Sequence, residues 1–457
     1  MSQTSASPPE GLTARLVRHC HALAAGPLAP GAARIASHSL LDWLAVAHAG
    51  WPARAVDLLR AQVREEGGHP RAALLDGSLA SAAQAALVNG TASHVLDFDD
   101  AHLESRVHPS VPLWPAILAH AQERGLGGAR ALAAFAAGVE MQSRVALLMG
   151  ESHYAQGWHN TVTLGTLGAA MAVAALDGLD VERTCHALSL AATQAGGMRA
   201  LFGTMGKPLH AGRAAATGLQ SARLAGRGFT GVADVLERPD GFARLYARET
   251  FPEAPLAQPH VPRLGGIVYK YHASCYGTQA PIDACLLLRA QGGFAPADVE
   301  AVDVLVERQY LDVCCIPQPR TDAEAKFSIA HMAALALAGR STVDAASFGP
   351  QALRDPQVAA LRQRVSVRGS DAMPRANAEV RVRLAGGAAL VQRADASRPE
   401  TDLNRQEARL REKALALLSP VFGGEAAGRL AGRALRFGEE SDVGAFMASA
   451  SRQRATA

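Results

Sequence analysis

Five short blocks of this chain hold residue types that can do chemistry. The first is Asn89-Gly90-Thr-Ala-Ser93-His94-Val-Leu-Asp97-Phe-Asp99-Asp100-Ala-His102, followed closely by His108-Pro109-Ser110. Carboxylates and imidazoles crowded together like this can supply an acid–base pair, because like charges and burial drive their pKa values apart. Asp97 and Asp100 are three residues apart, which predicts one shared helix face, with Asp99 pointing elsewhere. A metal reading would make Asp97, Asp100 and His102 ligands to a divalent ion. No second His/Asp cluster of complementary spacing supports it, and an Asp-rich Mg²⁺ site normally serves a phosphate for which there is no cradle. No metal is therefore expected. The plain alternative is a group of solvated carboxylates at a helix end.

The second block, Gly157-Trp158-His159-Asn160-Thr161, precedes an apolar stretch. Asn160 or Thr161 can cap a helix there, and its N-terminal amides would favour an anion within reach of His159. A capping loop with a satisfied histidine is the alternative. The third, Gly203-Thr-Met-Gly206-Lys207-Pro208-Leu-His210, superficially resembles a phosphate loop. It fails the Walker A pattern because Leu201 and Pro208 stand where Gly and Ser/Thr are required. What remains is a turn, a lysine and a proline suited to a first helical turn, which together suit a carboxylate.

The fourth block is Tyr269-Lys270-Tyr271-His272-Ala-Ser-Cys275 and the fifth Glu324-Ala-Lys326-Phe-Ser328. A lysine between tyrosines after an apolar run is expected to be partly buried. Burial would lower its pKa and ready it for proton transfer, with Schiff-base chemistry as a second use. The composition adds weight to these lysines. Of 45 Lys+Arg only Lys207, Lys270, Lys326 and Lys413 are lysines, so arginine supplies nearly all the generic positive charge. Lys413, on a C-terminal helix, looks like ordinary surface charge.

The elements that must position these blocks follow from hydrophobic spacing. Residues 1 to about 268 read as successive helices, with apolar or small-residue faces over 32–49, 81–96, 129–149 and 161–176. The last of these is apolar all round, which places it centrally in a helical layer. From about 269 to 395 the pattern mixes strands with helices. Val302–Val306 and Val365–Val367 alternate, Val380–Leu384 and Ala389–Val391 flank a Gly386-Gly387 turn as a hairpin, and Ala323–Leu337 is helical. Over 396–457 helices return. The predicted class is mainly α: a large helical domain interrupted by a smaller α+β domain, with the C-terminal helices docking back on the first part. A cleft between the two is the default ligand site.

Whole-chain properties remove other classes. A net charge of +3 without a basic run excludes a nucleic-acid footprint. The N-terminus shows no leader pattern and no apolar run has spanning length, so no membrane partner is expected and the cytoplasm is the expected compartment. The six cysteines show no metal or disulfide spacing. There is no G-x-S-x-G and no G-x-G-x-x-G after a strand, which argues against a serine hydrolase and a nicotinamide or flavin enzyme.

In order and content, the five blocks resemble those of the MmgE/PrpD family, and the resemblance covers nearly the whole chain. It implies a large helical domain with a smaller α+β lid, a homodimer, and chemistry without a metal or organic cofactor. Known members include 2-methylcitrate dehydratase, cis-aconitate decarboxylase and iminodisuccinate epimerase. Carried over by position, the catalytic residues are Asp97, His108, His159, Lys207 and Lys270. Asp100, His102, Asn160, Cys275 and His331 are expected to bind substrate. Cys275 stands where the decarboxylase has a lid histidine, His331 where it has a tyrosine, and Gln279 where relatives often have His. These departures weigh against cis-aconitate decarboxylation. The expected function is a cofactor-independent, dehydratase-type lyase of a small di- or tricarboxylate. Lys207 and Lys270 would hold carboxylates, and His108 and His159 would form an acid–base pair oriented by Asp97. Epimerisation and decarboxylation are alternatives, and a non-catalytic binding protein is the reading from a different class.

Overall fold

A computed structural model describes residues 11–452 apart from 345, 346 and 348; Met1–Glu10, on which the expectation about a leader rests, lie outside these. The chain separates into two compact units, each discontinuous in sequence. The first comprises residues up to Val95, Asp100–Ile267 and the chain from Val421 onward. The second comprises Leu96–Asp99 and Val268–Pro420. The expected class, mainly α with a smaller α+β part, is what the structure shows.

The first unit is built round the helix Asn160–Asp177, whose side chains are buried on nearly every side. Gly128–Ala155, Gly206–Gly226, Ser110–Arg124 and Val181–Ala192 pack around it. Gly128–Ala155 is long and apolar enough to cross a membrane, and it lies mostly buried inside the protein. Small residues let these helices approach closely. At the crossing of Ala82–His94 with Gly206–Gly226, a Cβ on Gly90 would sit 2.9 Å from the Gly212 Cα, and one on Gly212 would sit 2.1 Å from the Leu87 carbonyl oxygen. Only glycine fits both positions. The contact fixes His94, one turn beyond Gly90, and His210 and Lys207, just before Gly212. Ser81 starts the first of these helices with a full capping box to Gln84.

The second unit carries a four-stranded sheet in the order Val365–Ser370, Val299–Glu307, Asn377–Leu384, Ala389–Asp395. The first pair is parallel, with Val302 opposite Val365, and the other two pairs are antiparallel. Val299, Val302, Val304 and Val306 of one strand and Ala378, Val380 and Val382 of its neighbour are buried, as period-two patterning requires. Tyr276–Gln291 packs on this sheet, and Ile329–Leu337 packs on Tyr276–Gln291.

Three expectations about elements are corrected. Asp97 and Asp100 do not share a helix face, because the helix ends at His94 and Asp97 is left-handed with φ +52°. The helix expected over Ala323–Leu337 is two, Asp322–Lys326 and Ile329–Leu337, since the Ser328 side chain caps the second and breaks the run. The C-terminal helices do not all return to the first unit. Leu403–Phe422 belongs to the second as far as Pro420, and its buried row Leu410, Lys413, Ala414, Leu417, Leu418 faces that unit's interior.

Candidate active site

In the first unit, four histidines and a lysine are brought together from three helices and a loop. The His94 and His108 ring centroids are 4.9 Å apart, and the His94 and His159 rings stack at 6.0 Å. His159 is the N-cap residue of the central helix, and its Nδ1 lies 3.0 Å from the Nδ1 of His210. Two ring nitrogens at that distance share one proton, so one donates and the other accepts. Phe202 meets the His159 ring edge-on at 4.9 Å, and the Lys207 ammonium lies 5.4 Å from the Phe202 centroid. Burial pushes the His159 pKa well below its ordinary value, and the cationic forms of His94, Lys207, His108 and His210 push it further. His159 is therefore a neutral base at pH 7, held beside an ammonium.

His108 is oriented from within its own loop. Its Nδ1 is 2.8 Å from the Asp100 carbonyl oxygen, which fixes the Nδ1–H tautomer, and its backbone N–H donates to Thr161 Oγ1. The Asp100 carboxylate accepts from Ser110 N and Ser110 Oγ at 3.1 and 2.6 Å. This corrects two expectations. The Nδ1 of His108 is oriented by the Asp100 carbonyl, not by Asp97. Asp100 is not a substrate ligand, because both its carboxylate oxygens hold the turn into the Ser110–Arg124 helix.

His102 is likewise a satisfied buried histidine. Its Nε2 is 3.2 Å from the Arg263 carbonyl and its Nδ1 2.9 Å from Ser105 Oγ, and burial lowers its pKa. Asp100 and His102 are committed in this way, so the metal reading weighed and set aside above, with Asp97, Asp100 and His102 as ligands, has two of its three groups already engaged. Neither Asn160 nor Thr161 caps the central helix. Asn160 is its first helical residue and donates from Nδ2 to Ser105 O at 2.9 Å, while its buried Oδ1 has no partner. That oxygen keeps Asn160 a candidate for substrate contact.

In the second unit the chemistry gathers round Asp97. The Lys270 ammonium donates to the Asp97 carbonyl oxygen at 2.6 Å and to its Oδ1 at 3.1 Å, and only 1% of Lys270 is exposed. The expectation of a lowered Lys270 pKa is overturned. Burial does pull it down, but the Asp97 and Asp99 carboxylates and the thiolate form of Cys275 more than offset that, leaving it above its ordinary value. Lys270 is a permanent ammonium here, suited to holding an anion rather than to taking a proton. Lys326 goes the other way: burial lowers its pKa, and Asp322 and Asp97 only partly restore it.

Gln279 clamps the loop that carries Lys270. Its Oε1 accepts the Tyr271 and His272 N–H groups, and its Nε2 donates to the His272 and Ser274 carbonyls. Cys275 is buried at the N-terminus of the Tyr276–Gln291 helix, with its N–H on the Lys326 carbonyl at 2.9 Å. A hydrogen bond with Cys314 lowers its pKa against burial, and the same bond raises that of Cys314. His331 is fully buried in the first turn of Ile329–Leu337. Its Nδ1 faces Arg362 at 3.4 Å and its Nε2 has no partner. Burial, then Arg362, lowers its pKa to about 4.

Sequence reasoning missed Lys413. It is buried, not surface charge, because it stands three residues after Leu410 and four before Leu417 on the buried face. That spacing was the available signal. His94 and His210 lay inside the quoted blocks, but only ring contacts across helices assign them to the cluster.

The MmgE/PrpD N-terminal domain model matches residues 14–254 and the C-terminal domain model residues 272–435. The cis-aconitate decarboxylase of Mus musculus is 30% identical over 297 residues, 62% of this chain and 60% of that protein. That of Homo sapiens is 31% identical over 329 residues, 68% of this chain and 67% of that protein. The cis-aconitate decarboxylase-like protein oryM of Aspergillus oryzae is 33% identical over 174 residues, 36% of each chain. With one domain model covering more than half of its length and the other most of the remainder, the chain belongs to the MmgE/PrpD family.

Proposed function

We propose that this protein is a lyase of small di- or tricarboxylates that removes a proton from carbon next to a carboxylate, with dehydration as the favoured outcome. The observation that carries the proposal is His159, a buried imidazole whose pKa is held well below its ordinary value by burial and by neighbours that include the Lys207 ammonium. A neutral base beside an ammonium suits abstraction of a carbon-bound proton from an anionic substrate. The aci-carboxylate that results carries extra negative charge, which fixed ammonium groups stabilise at no reorganisation cost. In this reading Lys207 and Lys270 hold carboxylates, and His159 takes the proton with His210 sharing its ring proton. His108 acts as the acid, and a positioned acid–base pair is worth roughly 10²–10⁴-fold. Asp97 keeps Lys270 charged.

Decarboxylation is the second reading, favoured by the names of the mammalian relatives. Epimerisation needs the same proton apparatus without a leaving group. Citrate, 2-methylcitrate, cis-aconitate and iminodisuccinate, each incubated with the protein in D₂O and followed by NMR, separate these outcomes. A new alkene with all carboxyl carbons retained supports dehydration, whereas loss of a carboxyl carbon replaces it with decarboxylation. Deuterium uptake with inversion and no alkene replaces it with epimerisation. If no compound turns over, and Lys207→Met binds each of them as the parent does, the lyase reading is lost.

A further inference from the structure

Lys413 has no place in the proton chemistry above, yet it is one of the most buried charges in the second unit. Only 3% of it is exposed, and it reaches the Asp97 segment from a helix more than 300 residues further along the chain. Its ammonium donates to the Phe98 carbonyl and to the Lys270 carbonyl, each at 2.8 Å, and lies 3.8 Å from the centroid of the fully buried Phe98 ring. One cation thus binds the backbone on both sides of the ion pair: the residue after Asp97, and Lys270 itself. The pair is in turn closed by the Lys270 ammonium on Asp97 O and Oδ1. Asp97 sits at φ +52°, a left-handed conformation that Asp tolerates better than most residues but that still costs energy without a glycine, so tethers on the following carbonyl help to hold it.

We propose that Lys413 is a positioning residue, a buried double tether that holds the Asp97 turn against the Lys270 backbone and so keeps the Lys270 ammonium on Asp97. The inference rests on the reading that Lys270 serves the reaction, but the tether is tested apart from turnover. With only four lysines in the chain, [ε-¹³C]lysine labelling gives a spectrum in which each side chain is assigned by a Lys→Arg replacement and its titration followed directly.

Two effects of Lys413→Met have opposite signs. Loss of a neighbouring positive charge, acting alone, raises the Lys270 pKa. Loss of the tether loosens the carboxylate that offsets burial, and lowers it. The expected result is a fall of about one pH unit or more in Lys270 for Lys413→Met, with Lys413→Arg, which keeps a cationic donor, close to the parent. A rise or no change in a folded Lys413→Met protein overturns the proposal. Should that variant fail to fold, Lys413→Gln carries the test. Its amide keeps two donors without the charge, so Lys270 stays high, and a lowered Lys270 there overturns the tether.

Turnover of cis-aconitate or 2-methylcitrate by the same variants separates the two readings. A lowered Lys270 with unchanged turnover supports the tether and removes Lys270 from catalysis. Lost turnover with Lys270 unmoved overturns the tether and leaves the lyase reading intact.

Discussion

Replacing Asp97 with Asn removes the charge that keeps Lys270 protonated while disturbing little else. Asn is nearly isosteric and tolerates the left-handed φ of +52° at least as well as Asp, so the turn itself is not the variable. At 3.1 Å, two unit charges attract by about 5 kcal/mol at an effective dielectric of 20, equivalent to roughly four pH units. The Asp97 carbonyl still accepts from Lys270, the Asn amide oxygen replaces one acceptor, and Asp99 remains, so a fall of about two to three units is expected. Lys270 would then titrate below its unfolded value instead of above it.

The sign of the stability effect follows. In the parent, the raised Lys270 contributes stability that is fully present below the unfolded pKa of about 10.4 and is lost only as pH rises through the folded value. In Asp97→Asn the folded value lies below the unfolded one. The stability difference is then smallest near the unfolded pKa of about 10.4 and grows as pH falls by about 1.4 kcal/mol per unit of depression, about 3 kcal/mol for two units, levelling off below the folded value. If the whole chain melts together, that is about 3 °C in Tm, and about 9 °C if the roughly 160 residues of the second unit melt alone. Differential scanning calorimetry of both proteins from pH 7 to 10.5 reads it. A Tm difference independent of pH over that range refutes the buried ion pair.

Other outcomes test the rest of the site. Lys207→Met should raise the His159 pKa by about half a unit to one unit, read by imidazole NMR, and should shift the acid limb of the rate profile upward with it. His159→Asn should lower turnover by roughly 10²–10⁴-fold with little change in Tm. Gly212→Ala should cost about 1–3 kcal/mol, because its methyl group would meet the Leu87 carbonyl in a close-packed crossing, and thermal unfolding measures it. His331, lowered to about 4, loses the protein stability as pH falls from about 6.5 toward 4. His331→Gln should flatten the acid side of the stability profile, read by denaturant unfolding, by up to about 3 kcal/mol over that interval.

Much of this molecule was legible in its sequence, and the exceptions share a cause. The strand Val299–Glu307 and the helix Asn160–Asp177 are fixed by periodicity within a few residues, so local patterning found them. The blocks containing Lys207, His159 and Lys270 were found because their residue types are scarce or unusual where they stand. What failed depended on partners far along the chain. Nothing local says that Asp100 spends its carboxylate on Ser110, or that His102 is satisfied by Arg263. Lys270 was read correctly as buried but wrongly as lowered, because burial is visible in its neighbours and Asp97 lies 173 residues away. Lys413 failed for a different reason: its helical row was readable, and a general preference for solvated lysines outweighed it.

The segment Leu96–Asp99 also has a consequence for how the chain is made. It is synthesised within the first unit but belongs to the second, and its partners Lys270 and Lys413 come 173 residues after Asp97 and 315 residues after Phe98. At ordinary translation speeds of about 5–20 residues per second, the final tether emerges roughly 15–60 s after Phe98 does. For about the first half of that interval the Asp97 and Asp99 carboxylates wait without Lys270, and for all of it the Phe98 ring and carbonyl wait without Lys413. Most of the helical scaffold can gain its packing before the Lys413 helix is made, whereas the tethered form of the Asp97–Lys270 pair has to wait for it. Active protein should therefore lag behind folded helix in any refolding or cell-free expression time course.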